Sequence, residues 1–360
     1  MDIGQLIYQL TVDGALDGIA HNQTAQFGTT SRQYLGATVL PERLVPQNSF
    51  REDSIAYRTI VANASTRYSP PQKKGGQLIG SFLVELAEQD IASEFTSRDY
   101  DALLAYLRNG ATMDAMYALT NFFDITINRA LLELNEKDRW AAIVSAAVSR
   151  VGDNKYAETI SYSDPSGHRA AAAAAWSTDA TDIMAEIWGY VDMLAAKGFT
   201  VGRVISSRNV VSIMAGNDTI KSRAGKVTVS GGSLVATTGK TDLAAINGIM
   251  TEDGLPPIEM YDLQYRTQSG TARFIPNTVF IMLCTTGRDE QLDLGDTLEI
   301  IPDTIGYHAI GRPAGQSNPG RVIRAEAFAN KPPRVEAEGW QTSLPVITEP
   351  EAIVVIHTIS

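Results

Sequence analysis

The chain has a single cysteine, Cys284, among 360 residues, so no disulfide can form within it. Cys284 follows the apolar run Phe280-Ile281-Met282-Leu283. That run reads as a buried strand, which makes a packed thiol the expectation rather than a nucleophile. Histidine is scarce too. His21, His168, His308 and His357 are scattered, with no HExxH and no Cys/His ligand spacing. Excess positive charge is also missing. The formal net charge is −11, which argues against a broad surface that grips nucleic acid. No stretch approaches the ~18 uninterrupted apolar residues of a membrane span. The N-terminus lacks a basic region followed by an apolar core, so no signal peptide is expected.

Recognisable active-site chemistry is absent as well. The nearest approach to a phosphate loop is Gly231-Gly232-Ser-Leu-Val-Ala-Thr-Thr-Gly239-Lys240-Thr241. A P-loop needs glycine five positions before its Gly-Lys-Thr glycine, and position 234 is leucine, whose side chain obstructs close backbone approach to phosphate. Residues 222–240 read instead as a surface loop. Carboxylates cluster at Asp289, Glu290, Asp293, Asp296 and Glu299, without the pattern or central glycine of a calcium loop; they read as a solvated loop. No GxSxG elbow and no His/Ser/Asp constellation can be singled out. The expectation is no catalytic residue, no cofactor and no metal.

What the chain does have is a long helical pattern. From Thr112 to about Arg150 there is no proline or glycine. Apolar residues recur at Met116, Leu119, Phe123, Ile127, Ala130 and Leu134, the spacing of one helix face. Thr112 offers an N-cap oxygen, Asp114 suits the positive helix end, and Arg150 then Gly152 suit the other end. Such a helix would be about 55 Å long, enough to act as a strut.

Residues 1–50 are polar with short apolar patches and no sustained period, and read as either disordered or an extended arm that packs on something else. Two strand-like runs, Ile55–Val61 and Gly80–Leu86, flank the turn cluster Ser69-Pro70-Pro71-Gln72-Lys73-Lys74-Gly75-Gly76, predicting a long hairpin. An isolated hairpin is marginal in water, so this one should lean on another surface. A short helix is predicted over 97–108 and a strand over 158–162. The alanine run 170–175 favours helix. From Trp176 the pattern becomes α/β. A helix capped by Ser177 or Thr178 runs to Lys197-Gly198, and strands are expected at 201–205, 258–265 and 273–283. Helices are expected at 209–215 and 242–250, with strands at 324–328 and 353–356 near the end.

Several stretches, taken in order, resemble one family. They are Leu35-Gly36-Ala37-Thr38-Val39-Leu40-Pro41 in the arm and Thr66-Arg67-Tyr68-Ser69-Pro70-Pro71 at the hairpin tip, followed by the long helix. Trp176-Ser177-Thr178-Asp179-Ala180 leads into Gly198-Phe-Thr-Val-Gly-Arg-Val. Ile258-Glu-Met-Tyr261-Asp-Leu-Gln-Tyr265 precedes Phe274-Ile275-Pro276, and the ending runs through Asn330-Lys331-Pro332-Pro333 and Leu344-Pro345-Val346-Ile347. The chain resembles the major capsid proteins of tailed bacteriophages, of the HK97-type fold and the lambda-like subgroup.

The resemblance implies an α+β fold with an N-arm at 1–50 and an E-loop hairpin at 51–92. It implies a P-domain at 93–175 and 325–360, carrying a spine helix at about 112–150, and an α/β A-domain at 176–324. It implies self-assembly into hexameric and pentameric capsomers of an icosahedral shell around packaged double-stranded DNA, held without specific binding. It further implies a scaffolding protein, a portal at one vertex and a decoration protein, with no membrane; the setting is the virion, assembled in the host cytoplasm. Expected intersubunit contacts are Arg67, Tyr68, Lys73 and Lys74 at the hairpin tip, Leu40 and Leu44 in the arm, and Asp289, Glu290 and Asp293 in an A-domain loop. Some relatives weld their shells through a hairpin lysine and a neighbour's asparagine, but the lambda-like subgroup lacks that bond. Two other readings stand beside this one: an encapsulin-like compartment shell, and an α/β enzyme with an unusual N-terminal extension.

Overall fold

The computed structural model describes residues 2–20, 34–56, 77–151, 157–225, 227–230, 233–236, 241–267, 270–287, 290–293, 298–301 and 304–358. The fold is α+β, built on two five-stranded sheets and one long helical run.

The helical run begins at Thr112 and ends at Ser145, in three pieces: an α-helix Thr112–Phe123, a π turn Asp124–Asn128 and an α-helix Arg129–Ser145. It is about 50 Å long. Two expectations are corrected. The N-cap position is Ala111, with no side-chain cap, rather than Thr112. The helix stops at Ala146, which takes a left-handed conformation with φ 49°. Residues Ala147–Val151 then form a strand paired with Ala157–Ser161. The β-branched Val148 and Val151 suit that extended state. The π turn places Asp124 to accept from Asn128 Nδ2 at 3.0 Å and Arg129 Nε at 3.1 Å.

Across this helix lies the first sheet. Its central strand, Arg334–Ile347, is 14 residues long. One side pairs antiparallel with Arg321–Phe328 and then Gly306–Ile310, the other with Ala87–Phe95. Glu42–Leu44 completes the sheet by pairing parallel with Gly306–Ile310. The long strand was absent from the sequence reading because Gly339 and Pro345 interrupt it, although the alternation of Val335 and Ala337 with Glu336 and Glu338 is a strand signal.

The second sheet runs in the order Ile258–Met260, Thr200–Ser206, Val279–Thr285, Ile353–His357, Arg169–Ala171. Helices Ile183–Ala196, Arg208–Gly216 and Leu243–Glu252 bury apolar faces in the same core. Cys284 lies buried in Val279–Thr285, and burial pushes its thiol up to about 12. The cap of Ile183–Ala196 is Asp182, which accepts from Ala185 N at 3.1 Å, not Ser177 or Thr178. The alanine run is not helical: its start is an edge strand whose pairing to Val355–His357 overrides alanine's propensity. The strands expected at 258–265 and 273–283 are each broken, and Gln264–Thr267 pairs instead with Gly270–Arg273. Within 222–240, expected as a loop or surface excursion, Val227–Ser230 and Ser233–Ala236 pair as two short antiparallel strands.

The N-terminal segment corrects a larger expectation. Ile3–Val12 is a helix closed by a reciprocal cap: Gln5 N donates to Asp2 Oδ1 at 2.7 Å and Asp2 N donates to Gln5 Oε1 at 3.0 Å. Ile3, Leu6, Ile7 and Leu10 are buried, with Leu16 and Ile19 of the next helix, Ala15–Ala20. They join a cluster containing Leu119, Phe123 and Ile127 of the long helix and Ile323, Val335 and Ala337 of the sheet. This part of the arm therefore folds back on its own chain. Its spacing of 3, 6, 7 and 10 is a helical signal that sequence reasoning could have found.

Candidate assembly surfaces

A buried polar seam fixes how the segments meet. Glu42 Oε1 accepts from Asn135 Nδ2 at 3.1 Å, from Arg139 Nη2 at 3.3 Å, and from Arg321. Gln341 Nε2 donates to Gln89 Oε1 and to Asn135 Oδ1, both at 2.6 Å. Arg150 clamps Asp138 Oδ2 through Nε at 3.1 Å and Nη2 at 2.8 Å. Glu136 Oε1 accepts from Gly36 N at 2.8 Å, Trp140 Nε1 at 2.7 Å and Tyr261 hydroxyl at 2.6 Å. Three carboxylates face three guanidiniums, so the seam is neutral. All of these residues are buried.

Burial is the main influence on the seam's titrating groups. It pushes the Asp138 carboxyl above the ordinary carboxylate range, opposed by Arg150. It also raises the Tyr261 hydroxyl, with Glu136 adding to the effect, so that hydroxyl stays protonated and donates. His308 is fully buried and held well below its ordinary value, first by desolvation and then by Arg139, Arg150 and Arg321. What the seam can do is join. It ties the strand Glu42–Leu44, the long helix and both flanks of the first sheet into one body.

The hairpin is present. Ser49–Ala56 pairs antiparallel with Gln77–Glu85, its first strand starting six residues before the expected Ile55. Its base leans on the first sheet through Phe50, Phe82 and Val84, packed with Tyr307, Leu344 and Val346. Tyr307 hydroxyl donates to Glu52 Oε2 at 2.8 Å. Only Leu86 separates it from the edge strand Ala87–Phe95.

Of the residues expected to make contacts, Leu40, Leu44, Glu290 and Asp293 lie among the described residues. Arg67, Tyr68, Lys73, Lys74 and Asp289 lie outside the described residues. Glu290 and Asp293 sit on a strand, Glu290–Asp293, paired with Leu298–Ile301, so the expected acidic loop is in part a hairpin. Leu40 is fully buried in the chain's own core and offers no surface to a neighbour. Leu44 is 43% exposed.

Apolar surface that sequence reasoning missed lies on the helices. Met113, Tyr117 and Ile125 are exposed along one side of the long helix, at four- and eight-residue intervals, and Tyr8 and Val12 along the N-terminal helix. The helix Ile3–Val12 has no charged residue. Among the described residues no group of His, Cys, Asp or Glu has the geometry to hold a metal ion.

No family model matches the sequence, and no curated protein matches it. Solved structures do match in shape. A protein assigned as the capsid protein of an Escherichia coli CFT073 prophage superposes with a TM-score of 0.51 at 13% identity, over 77% of this chain and 78% of that one. A phage-related protein of Bordetella bronchiseptica RB50 gives 0.51 at 10% identity, over 96% of this chain and 97% of that one. The chain has the HK97-type capsid fold.

Proposed function

We propose that this chain is the major capsid protein of a tailed bacteriophage, building an icosahedral head from hexamers and pentamers of itself. The observation that carries the reading is the shared fold, which spans 77% of the chain in the prophage capsid protein. Three features support it. The hairpin strands Ser49–Ala56 and Gln77–Glu85 form a two-stranded sheet of their own, a ribbon that can gain further area against a neighbour. Uncharged helix faces stay exposed, and repeated weak contacts add through multivalency. The net charge of −11 suits a wall that encloses DNA without holding it. In this reading the N-arm is 1–50, the E-loop 51–92, the P-domain 93–175 with 325–360, and the A-domain 176–324. A scaffolding protein, a portal and a decoration protein complete the assembly, which takes place in the host cytoplasm and ends in the virion.

Expression with and without the neighbouring phage genes, followed by size exclusion and negative-stain microscopy, tests it. Shells containing DNA are the expected result in the infected host. A monomer or small oligomer under every condition overturns the reading. Particles filled with a protein cargo would assign the chain to a compartment shell.

A further inference from the structure

Few directional bonds join the hairpin to the rest of the chain. Its strands pair with each other and, among the described residues, with no other strand. Phe50, Phe82 and Val84 rest on Tyr307, Leu344 and Val346. Apolar contact has no preferred direction, so it holds the ribbon on the sheet without fixing the angle between them. Polar groups must supply the direction. The bond from Tyr307 to Glu52 is one such group. The foot of the hairpin supplies two more. Asn48 Nδ2 donates to Arg312 O at 2.8 Å, and Arg312 N donates to Asn48 Oδ1 at 2.7 Å. An amide that gives and accepts on one backbone residue copies the exchange between paired strand residues. Leu86 N also donates to Asn48 O at 2.9 Å, so Asn48 ties the two feet of the hairpin together as well.

Arg312 is itself anchored. Its carbonyl also accepts from Thr342 Oγ1 at 3.2 Å, and Gly311 N donates to Thr342 O at 2.8 Å. Thr342 lies on the long strand Arg334–Ile347, so the clamp runs from the hairpin foot into the first sheet. Gly311 leaves the necessary room. A Cβ there would lie 2.3 Å from Asn48 Oδ1 and 2.6 Å from Leu86 Cδ1. Yet Asn48 and Arg312 are exposed, and they line an open cleft with Glu88 and Gln316. Water there competes for the same bonds. We propose that Asn48 is a latch: closed on Arg312, it fixes the angle at which the hairpin leaves the body, and opened, it lets the ribbon turn on its apolar seat. The latch is a property of the single chain. Its effect on particle shape rests on the shell reading.

Pulsed spin-label distances within the full chain test it. Cys284 is buried, so labels go to introduced cysteines at the exposed positions Arg51→Cys on the hairpin and Glu326→Cys on the first sheet. Labelled chain is diluted with unlabelled chain, so that only distances within one copy are read. With Asn48 intact, one narrow distribution is expected. Asn48→Ala should about double its width, because both bonds are lost. Asn48→Asp keeps the acceptor for Arg312 N and loses the donor to Arg312 O, so its width should fall between the two. Gly311→Ala attacks the latch from the other side and should broaden the distribution too, adding less in the Asn48→Ala background than it does alone. Hydrogen exchange of Val279–Thr285 should stay unchanged in every variant, which separates a lost angle from a damaged fold. On the shell reading, Asn48→Ala particles should also spread in diameter. Equal widths for the parent, Asn48→Ala and Gly311→Ala overturn the latch. Faster exchange in Val279–Thr285 that accompanies every broadening overturns it as well, by assigning Asn48 to general stability. Absence of particles from the unsubstituted chain is instead the failure of the shell reading, and the distance measurement stands without it.

Discussion

Ile127 and Gly339 meet with no room between them: a Cβ built on Gly339 would lie 2.1 Å from Ile127 Cγ2. Ile127 belongs to the π turn Asp124–Asn128 of the long helix, and Gly339 to the middle of the longest strand. The extra residue of a π turn bulges the helix locally. Here the bulge seats where the sheet has no side chain, which fixes the helix on the sheet.

Gly339→Ala should therefore destabilise the chain by about 1–3 kcal/mol through overpacking. Adding Ile127→Ala, which removes the colliding methyl, should recover part of the loss. Thermal melts of the two single variants and the double variant check this. An unchanged melting temperature for Gly339→Ala would mean that the helix slides freely on the sheet.

The buried seam predicts a larger effect. Arg139→Met removes a donor to Glu42 and the cation 3.6 Å from Glu136 Oε2. Both carboxylates stay buried, so a loss of about 3–5 kcal/mol is expected. Lys137→Met, two residues away on a half-exposed position, should cost less than about 0.5 kcal/mol. Urea unfolding of the two variants side by side makes the comparison.

His308 predicts acid sensitivity. Its folded form is held neutral well below the ordinary value of 6.5, so below that pH the unfolded chain binds a proton that the folded chain does not. Stability from this group is complete above 6.5 and is lost as pH falls below it, by up to about 1.4 kcal/mol per pH unit. His168 is shifted the same way, mainly by desolvation. His308→Phe should reduce the slope of stability against pH between 6.5 and 5. An identical slope would assign the acid sensitivity to other groups.

The N-terminal helix predicts local release. Leu6 is fully buried between the N-terminal helices and the first sheet. Leu6→Asp places a carboxylate there and should raise hydrogen exchange of Ile3–Val12 at least tenfold, leaving Val279–Thr285 unchanged. Exchange read by mass spectrometry decides it; equal protection in both segments would show that the helix does not depend on this contact.

Much of the fold was legible in particular residues. The helix over Ser97–Arg108 and its stop at Asn109-Gly110 follow from local chemistry, with Gly110 at φ 77°. The buried strand around Cys284 follows from an unbroken apolar run. The long strand Arg334–Ile347 did not show itself, because Pro345 and Gly339 are breakers by local rules. They are tolerated where Pro345 pairs with His308 and Gly339 receives Ile127. The contact residues were the least legible. Leu40 looks like any exposed arm leucine until a core closes over it.

The sequence by itself determined the elements whose cause is local: helix periodicity, turn glycines, the hairpin and the surplus of negative charge. The tertiary structure alone decided that the N-terminal segment folds back, that Glu42, Asn135, Arg139, Arg321 and Gln341 share one seam, and that Asn48 closes on Arg312. Those partners lie up to about three hundred residues apart in the chain, as Ala20 and Arg321 do. Register and burial are set by what packs opposite, and no local pattern encodes them.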